Sequence, residues 1–417
     1  MWNILLFFAL SVPALAGTHQ FILKCQGETL SSAVSATFQV TQSEALGNKT
    51  YKIVIESSLG LSDLLTQLSA LPDVLQAETN QETINAERES LMDVDGRAVY
   101  ILDSSSAPFM DEAAIAEING RAVYILDGGE DYAPIFAQYH VYLTGAHEAW
   151  PYATGQSIVV AVLDTGVDTD HELFTNNIVP GYDFIDNDID PREIAEGLDS
   201  NGNGLLDEGF GHGTHVAGII KTIAPNISIM PIKVIDSDGV GEMADIISGI
   251  DFAIANGARI INMSMSISEA SANLLDAIDR AEQADVAVVT SAGNNDSDGL
   301  SYPATETKVY TVTSLGSNLL KSPFSNYATK VDASAPGELI LSAHPNNRYV
   351  TRSGTSMAAP VLTGQMAILM EISPNLRHKL IFQQIKHSAF DIDWLNDTAY
   401  KNKLGRGVLD IEASVNQ

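Results

Sequence analysis

Five short apolar runs, Ile158–Leu163, Ile229–Ile235, Ile260–Met263, Val286–Val289 and Val309–Val312, alternate with stretches of helical period, Met243–Asn256 and Ala270–Ala284. Apolar runs of this kind suit strands buried on both faces. A parallel pairing also needs a crossover of a dozen or more residues, which this spacing provides. The pattern predicts an α/β fold, a doubly wound parallel sheet with helices on both faces. Ligands of such sheets bind beyond the carboxyl ends of the strands, and Asp164 and Asn294 stand just past two of the runs.

The segment Gly354-Thr355-Ser356-Met357-Ala358-Ala359-Pro360 opens an apolar helical stretch, Val361–Leu369. A proline breaks a helix interior but costs nothing in the first turn, where the N–H groups have no intrahelical partner. Pro360 is therefore expected in the first turn, with Ser356 at the helix N-terminus. Free N–H groups and the positive end of the helix dipole there favour an anion forming beside the hydroxyl. A serine needs a base and a group to orient the base. Asp164 ends the first run in Asp164-Thr165-Gly166, and His212 lies in Gly211-His212-Gly213-Thr214-His215-Val216-Ala217-Gly218. The order Asp, His, Ser with these flanks is one of the convergent arrangements of the serine-protease triad.

From about residue 138 to about residue 413, roughly two thirds of its length, the chain resembles the subtilisin-like serine endopeptidases, or subtilases; three motifs in the family's order carry the likeness. The resemblance implies attack by Ser356, proton transfer by His212 and orientation of the imidazole by Asp164. It selects His212 over His215, which is left a structural role. It also implies that Asn294, after Thr290-Ser291-Ala292-Gly293, donates to the oxyanion beside the serine backbone N–H. Gly239-Val240-Gly241 would line one side of an extended-substrate cleft, with Val240 and Met243 near the subsite four residues before the scissile bond. Ser264-Met265-Ser266 would line the other. Ser266 stands where the family usually has glycine, so a medium-sized apolar residue is expected before the cleaved bond. A kexin-like enzyme would have a different histidine motif, and an α/β-hydrolase esterase would need Gly-x-Ser-x-Gly with the histidine last. A catalytically silent binding or scaffold protein on the same fold is the alternative of another class.

Asp199-Ser200-Asn201-Gly202-Asn203-Gly204-Leu205-Leu206-Asp207-Glu208 offers oxygens at alternate positions with glycine at the bend, a spacing that suits calcium. Asp199, Asn201, Asn203 and Asp207 are the expected ligands of a structural calcium, although Phe210 stands at the twelfth position, where an acid is usual; a solvated acidic loop is the alternative. His171-Glu172-Leu173 lacks the aspartate that subtilases often use after the first motif.

The formal charge of −31 argues against nucleic acid, since a phosphate-binding protein needs a basic face. It reads as a solubilising surface, or as adaptation to salt or calcium. Residues 1–16, with the apolar core Leu5–Val12 and Ala14 and Ala16 before the cut, read as a secretory signal, although Met1-Trp2-Asn3 has no basic residue. No later run suits a membrane span, so a secreted monomer acting on protein or peptide substrates is expected. The single cysteine, Cys25, leaves no disulfide to hold a mature form. Residues 17–85 alternate short strand-like and helix-like pieces (Gln20–Lys24, Ala36–Thr41, Tyr51–Glu56), then a helix over Leu61–Leu71 and a strand over Val74–Glu78. They resemble the α+β, ferredoxin-like propeptide of secreted subtilases, which acts as an intramolecular inhibitor. Residues 86–137 form an acidic linker in which Gly96–Asp103 recurs unchanged as Gly120–Asp127. That repeat is either a duplicated linker or a strand added to the peptidase edge. Residues 138–417 form the peptidase domain.

Overall fold

A computed structural model describes residues 17–25, 32–47, 50–57, 59, 61–71, 74–79, 134–267 and 271–417. The expected signal segment and the repeated Gly96–Asp103 and Gly120–Asp127 lie outside the described residues. The chain divides into two compact units, Met1–Thr83 and Ile84–Gln417.

The first unit runs β1 (Gly17–Cys25), α1 (Ser32–Thr37), β2 (Val40–Gly47), β3 (Thr50–Ser57), α2 (Leu61–Ser69) and β4 (Val74–Thr79). Its sheet has the order β2-β3-β1-β4 with every neighbour antiparallel. Val34 and Phe38 of the α1 segment and Leu64 and Leu68 of α2 bury against Ile53 and Ile55 of β3. The piece Ala36–Thr41 thus spans a helix end and a strand start: the i, i+4 pair Val34 and Phe38 needs a helical turn to reach one core.

The second unit is built on a seven-stranded parallel sheet of order β11-β10-β9-β8-β5-β7-β6. Its strands are β5 (Val159–Asp164), β6 (Tyr182–Asp183), β7 (Ser228–Lys233), β8 (Ile260–Met263), β9 (Ala287–Ser291), β10 (Val309–Leu315) and β11 (Ala333–Pro336). All five apolar runs become strands. The edge strands β6 and β11 escaped prediction because one is two residues long and the other is Ala-Ser-Ala-Pro. Alternation along β5 explains the two-faced burial. Val160 and Val162 enter one core, and Ala161 and Leu163 the other. The first core is closed by α5 (His212–Ile223), α8 (Thr355–Ile372) and α9 (His378–Ser388), and the second by α6 (Met243–Ala255) and α7 (Ala272–Gln283). Two short helices, α3 (Tyr139–Leu143) and α4 (Ala146–Ala149), precede β5, and α10 (Ile411–Val415) ends the chain. After β7 the chain crosses to the opposite side of β5 to form β8. This reversal of direction opens a crevice at the carboxyl ends of β5 and β8.

A hairpin of β12 (Ile340–His344) and β13 (Arg348–Arg352), also absent from the sequence reading, covers α5. His215 holds it there: Nε2 lies 3.0 and 3.1 Å from the carbonyls of Ile340 and Val350, while Ser342 Oγ donates to His215 O at 2.7 Å. The structural role expected of His215 is the observed one. Among the described residues no helix is long and apolar enough to cross a membrane.

His140 and His344 are also buried. Burial pulls His140 down to about 3, and burial together with Arg352 and Arg348 pulls His344 down to about 4. Both take up a proton on unfolding below about pH 6.5, so the unfolded state gains protons there and stability falls. The midpoint of thermal unfolding of the Ser356→Ala protein, which cannot digest itself if Ser356 is the nucleophile, is expected to drop as pH goes from about 6.5 to about 4. His140→Gln should make that slope shallower; an unchanged slope would contradict the assignment.

Candidate active site

Asp164 is the last residue of β5 and is fully buried. His212 is the first residue of α5, after Gly211 at φ +88°. A Cβ on Gly211 would meet the His344 ring at 2.5 Å, and one on Gly213 would stand 2.1 Å from the Gly166 carbonyl oxygen. Glycine at 211 therefore leaves room for the His344 ring, and glycine at 213 lets the first turn of α5 press against the turn after β5. In that contact His212 Nδ1 lies 2.7 Å from Asp164 Oδ1, which also accepts the Thr165 N–H at 2.8 Å. A proton held on Nδ1 by the carboxylate leaves the basic lone pair on Nε2.

Ser356 is the second residue of α8 and is buried, with Oγ donating to the Ser264 carbonyl at 3.2 Å. Pro360 is the sixth residue of α8, beyond the first turn where it was expected. It has no N–H to give the carbonyl four residues back, which is that of Ser356. Ser264 Oγ supplies the donor instead, at 3.3 Å. Ser264 is itself fixed by Asn262, whose Nδ2 donates to its Oγ at 2.8 Å and whose Oδ1 accepts from Thr363 Oγ1 of α8 at 2.8 Å. The helix defect is thus used to join the serine to the segment after β8.

Asn294 sits past β9 beside the same helix start. Its Oδ1 accepts from Thr355 N and from Thr355 Oγ1, both at 2.9 Å. A backbone N–H can only donate, so the amide oxygen must face Thr355 and Nδ2 must face the other way.

Gly239-Val240-Gly241 and Ser264-Met265-Ser266 follow β7 and β8. Val240 is 39% exposed, Ser266 is exposed, and Met265 is buried within the second core. Asp236 folds the first segment into a turn by accepting from Asp238 N and Val240 N.

The loop 199–208 is held by its own side chains. Asp199 Oδ2 accepts from Gly204 N at 3.1 Å, Asn201 Oδ1 from Asn203 N at 3.0 Å, and Asn203 Oδ1 from Leu205 N at 2.8 Å. Asp207 does not join them. Its carboxylate accepts from the N–H groups of Glu196, Gly197 and Leu198 and from Ser237 Oγ. Glu208 Oε2 accepts from Asn203 Nδ2 and, at 2.8 Å, from Asn201 Nδ2.

Sequence reasoning missed Glu193. It lies in an acidic stretch that reads as surface, yet it is 4% exposed and accepts from Gly211 N, Thr214 N and the hydroxyls of Thr165 and Thr214. No motif marks it, and only the packing of its loop against α5 reveals it.

A parallel sheet with a buried carboxylate and an imidazole paired at its carboxyl edge, and a serine at a helix start, describes an α/β serine peptidase. Residues 155–407 match the Subtilase family, and the chain belongs to that family. It is 35% identical over 242 residues to thermitase of Thermoactinomyces vulgaris, covering 56% of this chain and 81% of that protein. It is 32% identical over 273 residues to subtilisin DY of Bacillus licheniformis, covering 62% and 91%. A solved structure described as proteases from Pseudoalteromonas arctica PAMC 21717 superposes with a TM-score of 0.61 at 29% identity, over 67% of this chain and 96% of that one.

Ser264→Ala strips the Ser356 carbonyl and Asn262 Nδ2 of their partner. An orphaned buried polar group costs about 1–3 kcal/mol. Urea unfolding in the Ser356→Ala background is expected to show a loss of that size; an unmoved midpoint would mean the carbonyl is satisfied otherwise.

Proposed function

We propose that this subtilase is a secreted serine endopeptidase made as a zymogen, with Ser356 as nucleophile, His212 as general base and then acid, and Asp164 as the group that orients and stabilises the imidazolium. The observation that carries this reading is the 2.7 Å contact between His212 Nδ1 and the fully buried Asp164. Catalysis requires Ser356 Oγ to leave the Ser264 carbonyl for His212 Nε2, giving up a single 3.2 Å hydrogen bond. The tetrahedral oxyanion would then form where the start of α8 and Asn294 Nδ2 both offer donors. Substrate backbone would lie between Gly239-Val240-Gly241 and Ser264-Met265-Ser266, with a medium-sized apolar residue before the cleaved bond. The antiparallel βαββαβ unit of residues 17–79 supports the propeptide reading, and maturation would cut between about Asp127 and Gln138. N-terminal sequencing of active protein reads that cut directly.

A fluorophosphonate probe is expected to label the matured protein at Ser356 and to leave Ser356→Ala unlabelled. An unlabelled wild type would favour the silent scaffold. Asn294→Ala should lower kcat by about 10²- to 10³-fold with KM little changed, a magnitude measured on a subtilisin and so on a relative of this chain. A loss confined to KM would remove Asn294 from the oxyanion site.

Calcium is proposed as a structural ligand of the 199–208 loop. Oxygen donors from Asp199, Asn201 and Asn203 suit a hard cation, and Glu208 Oε1 is buried with no hydrogen-bond partner among the described residues. Asp199, Asn201, Asn203 and Glu208 would hold the ion, which would stiffen the loop and take no part in the reaction. At a calcium concentration about 100 times its Kd, binding would stabilise the fold by about 2.7 kcal/mol. The melting temperature of the Ser356→Ala protein should rise with calcium and fall with chelator, and Asp199→Ala should erase the difference. Equal melts with and without chelator in the parent would remove calcium from the account.

A further inference from the structure

We propose that Glu193 is a positioning residue of the active site: its carboxylate ties the Asp164-Thr165-Gly166 turn to the first turn of α5, and so fixes how Asp164 Oδ1 meets His212 Nδ1. The proposal rests on the peptidase reading given above.

Gly211, the residue before α5, has no side chain to cap the helix. Glu193 caps it from 18 residues away. Oε1 accepts from Gly211 N at 2.8 Å and from Thr165 Oγ1, while Oε2 accepts from Thr214 N at 2.9 Å and from Thr214 Oγ1. Both hydroxyls already accept a backbone N–H, Thr165 from Gly213 and Thr214 from Asp168, each at 2.9 Å. Their own protons are thereby directed at Glu193. All four neighbours donate, so the set fits an ionised carboxylate, which only accepts. The positive end of α5 favours the same charge. Burial raises the Glu193 pKa and the Asp164 charge adds to the rise, while the bonds from Thr165 and Thr214 oppose it.

The consequence for the triad runs through Thr165. Its N–H holds Asp164 Oδ1 at 2.8 Å, and its hydroxyl lies 3.3 Å from the same oxygen. With Glu193 ionised the hydroxyl proton points away from Asp164. Without that charge the proton turns to Asp164 Oδ1 and competes with His212 Nδ1 for it. The competition lowers the carboxylate's hold on the imidazolium that forms during catalysis.

Other groups face the start of α5. Around Gly211 stand the His344 ring and Arg352, whose Nη2 donates to Phe210 O at 2.8 Å, and Asp168 is bonded to Thr214. None of these changes in Glu193→Gln. Loss of a nearby negative charge and a weaker Asp164 acceptor both disfavour protonated His212, so its pKa falls. The acid limb of kcat/KM, where His212 becomes protonated, should move to lower pH by up to about one unit. Per fluorophosphonate-titrated site, kcat should fall on the order of 10- to 100-fold, the cost of one or two charge-assisted hydrogen bonds, with KM within about twofold. Glu193→Asp keeps the charge and should return the acid limb toward its original place while recovering only part of kcat. An E193Q enzyme with wild-type kcat per titrated site and an unmoved acid limb overturns the proposal, even if fewer molecules fold. Where E193Q does not fold, Thr165→Val removes the bridge and leaves the charge; wild-type kcat per titrated site in that variant also overturns it. A wild type that the probe does not label sinks the peptidase reading instead, which separates the two failures.

Discussion

The approach of the α5 N-terminus to the turn after β5 is the contact on which the site depends. It is a backbone contact before it is a side-chain one, because a Cβ at Gly213 would stand 2.1 Å from the Gly166 carbonyl oxygen. Any side chain there would push helix and strand apart and take His212 off Asp164. The flanking residues of the histidine motif therefore act through sterics, and the carboxylate–imidazole bond of 2.7 Å is their result. Depth matters as well. Asp164 ends a strand with core on both faces, so the carboxylate is held where water cannot compete for it.

The serine half of the site rests on a different device. Pro360 lies too deep in α8 for its missing N–H to be harmless, and the carbonyl it frees is that of Ser356. A helix with an unfilled acceptor would be strained or wet at that point. Here the defect accepts a hydroxyl from Ser264, and Ser264 in return takes the Ser356 hydroxyl on its own carbonyl. The two bonds lock the serine to the segment after β8 in one register. A proline that disfavours an isolated helix thereby fixes the position of its second residue relative to the sheet.

Sequence patterns carried the interior of the second unit well and its periphery poorly. β5, β8 and β10 are legible because burial on both faces leaves an apolar run. Asp164, His212, Ser356 and Asn294 are legible because each is followed or preceded by glycine or small residues that the close approaches demand. β6, β11 and the β12–β13 hairpin leave no such trace. Two residues cannot show a period, Ala-Ser-Ala-Pro has no apolar signature, and the hairpin is defined by its cover over α5 rather than by its composition. Glu193 escaped for a further reason: in an acidic stretch every carboxylate looks like surface, and only folding decides which one turns inward.

That stretch is where the chain's acidity does structural service. From 183 to 208 it runs beside the carboxyl ends of β5 and β7, and its carboxylates meet donors that the sheet presents there. Lys233, the last residue of β7 and 1% exposed, lies 3.6 Å from Asp183 and 2.5 Å from Glu196. A buried cation this close to two carboxylates is tolerable only because both are held, so the pair sets geometry more than it adds stability. Further along, Ser200 Oγ donates to Asp236 at 2.6 Å and Asn201 N to Asp238 at 3.0 Å. Asp236 is the residue that folds the Gly239-Val240-Gly241 segment. The insertion is therefore fastened at one end to the helix that carries His212, through Glu193, and at the other to the segment after β7. Its acids accept from backbone N–H groups, from the hydroxyls of Thr165, Thr214 and Ser237, from the side-chain amides of Asn201 and Asn203, and from Lys233 and Arg192.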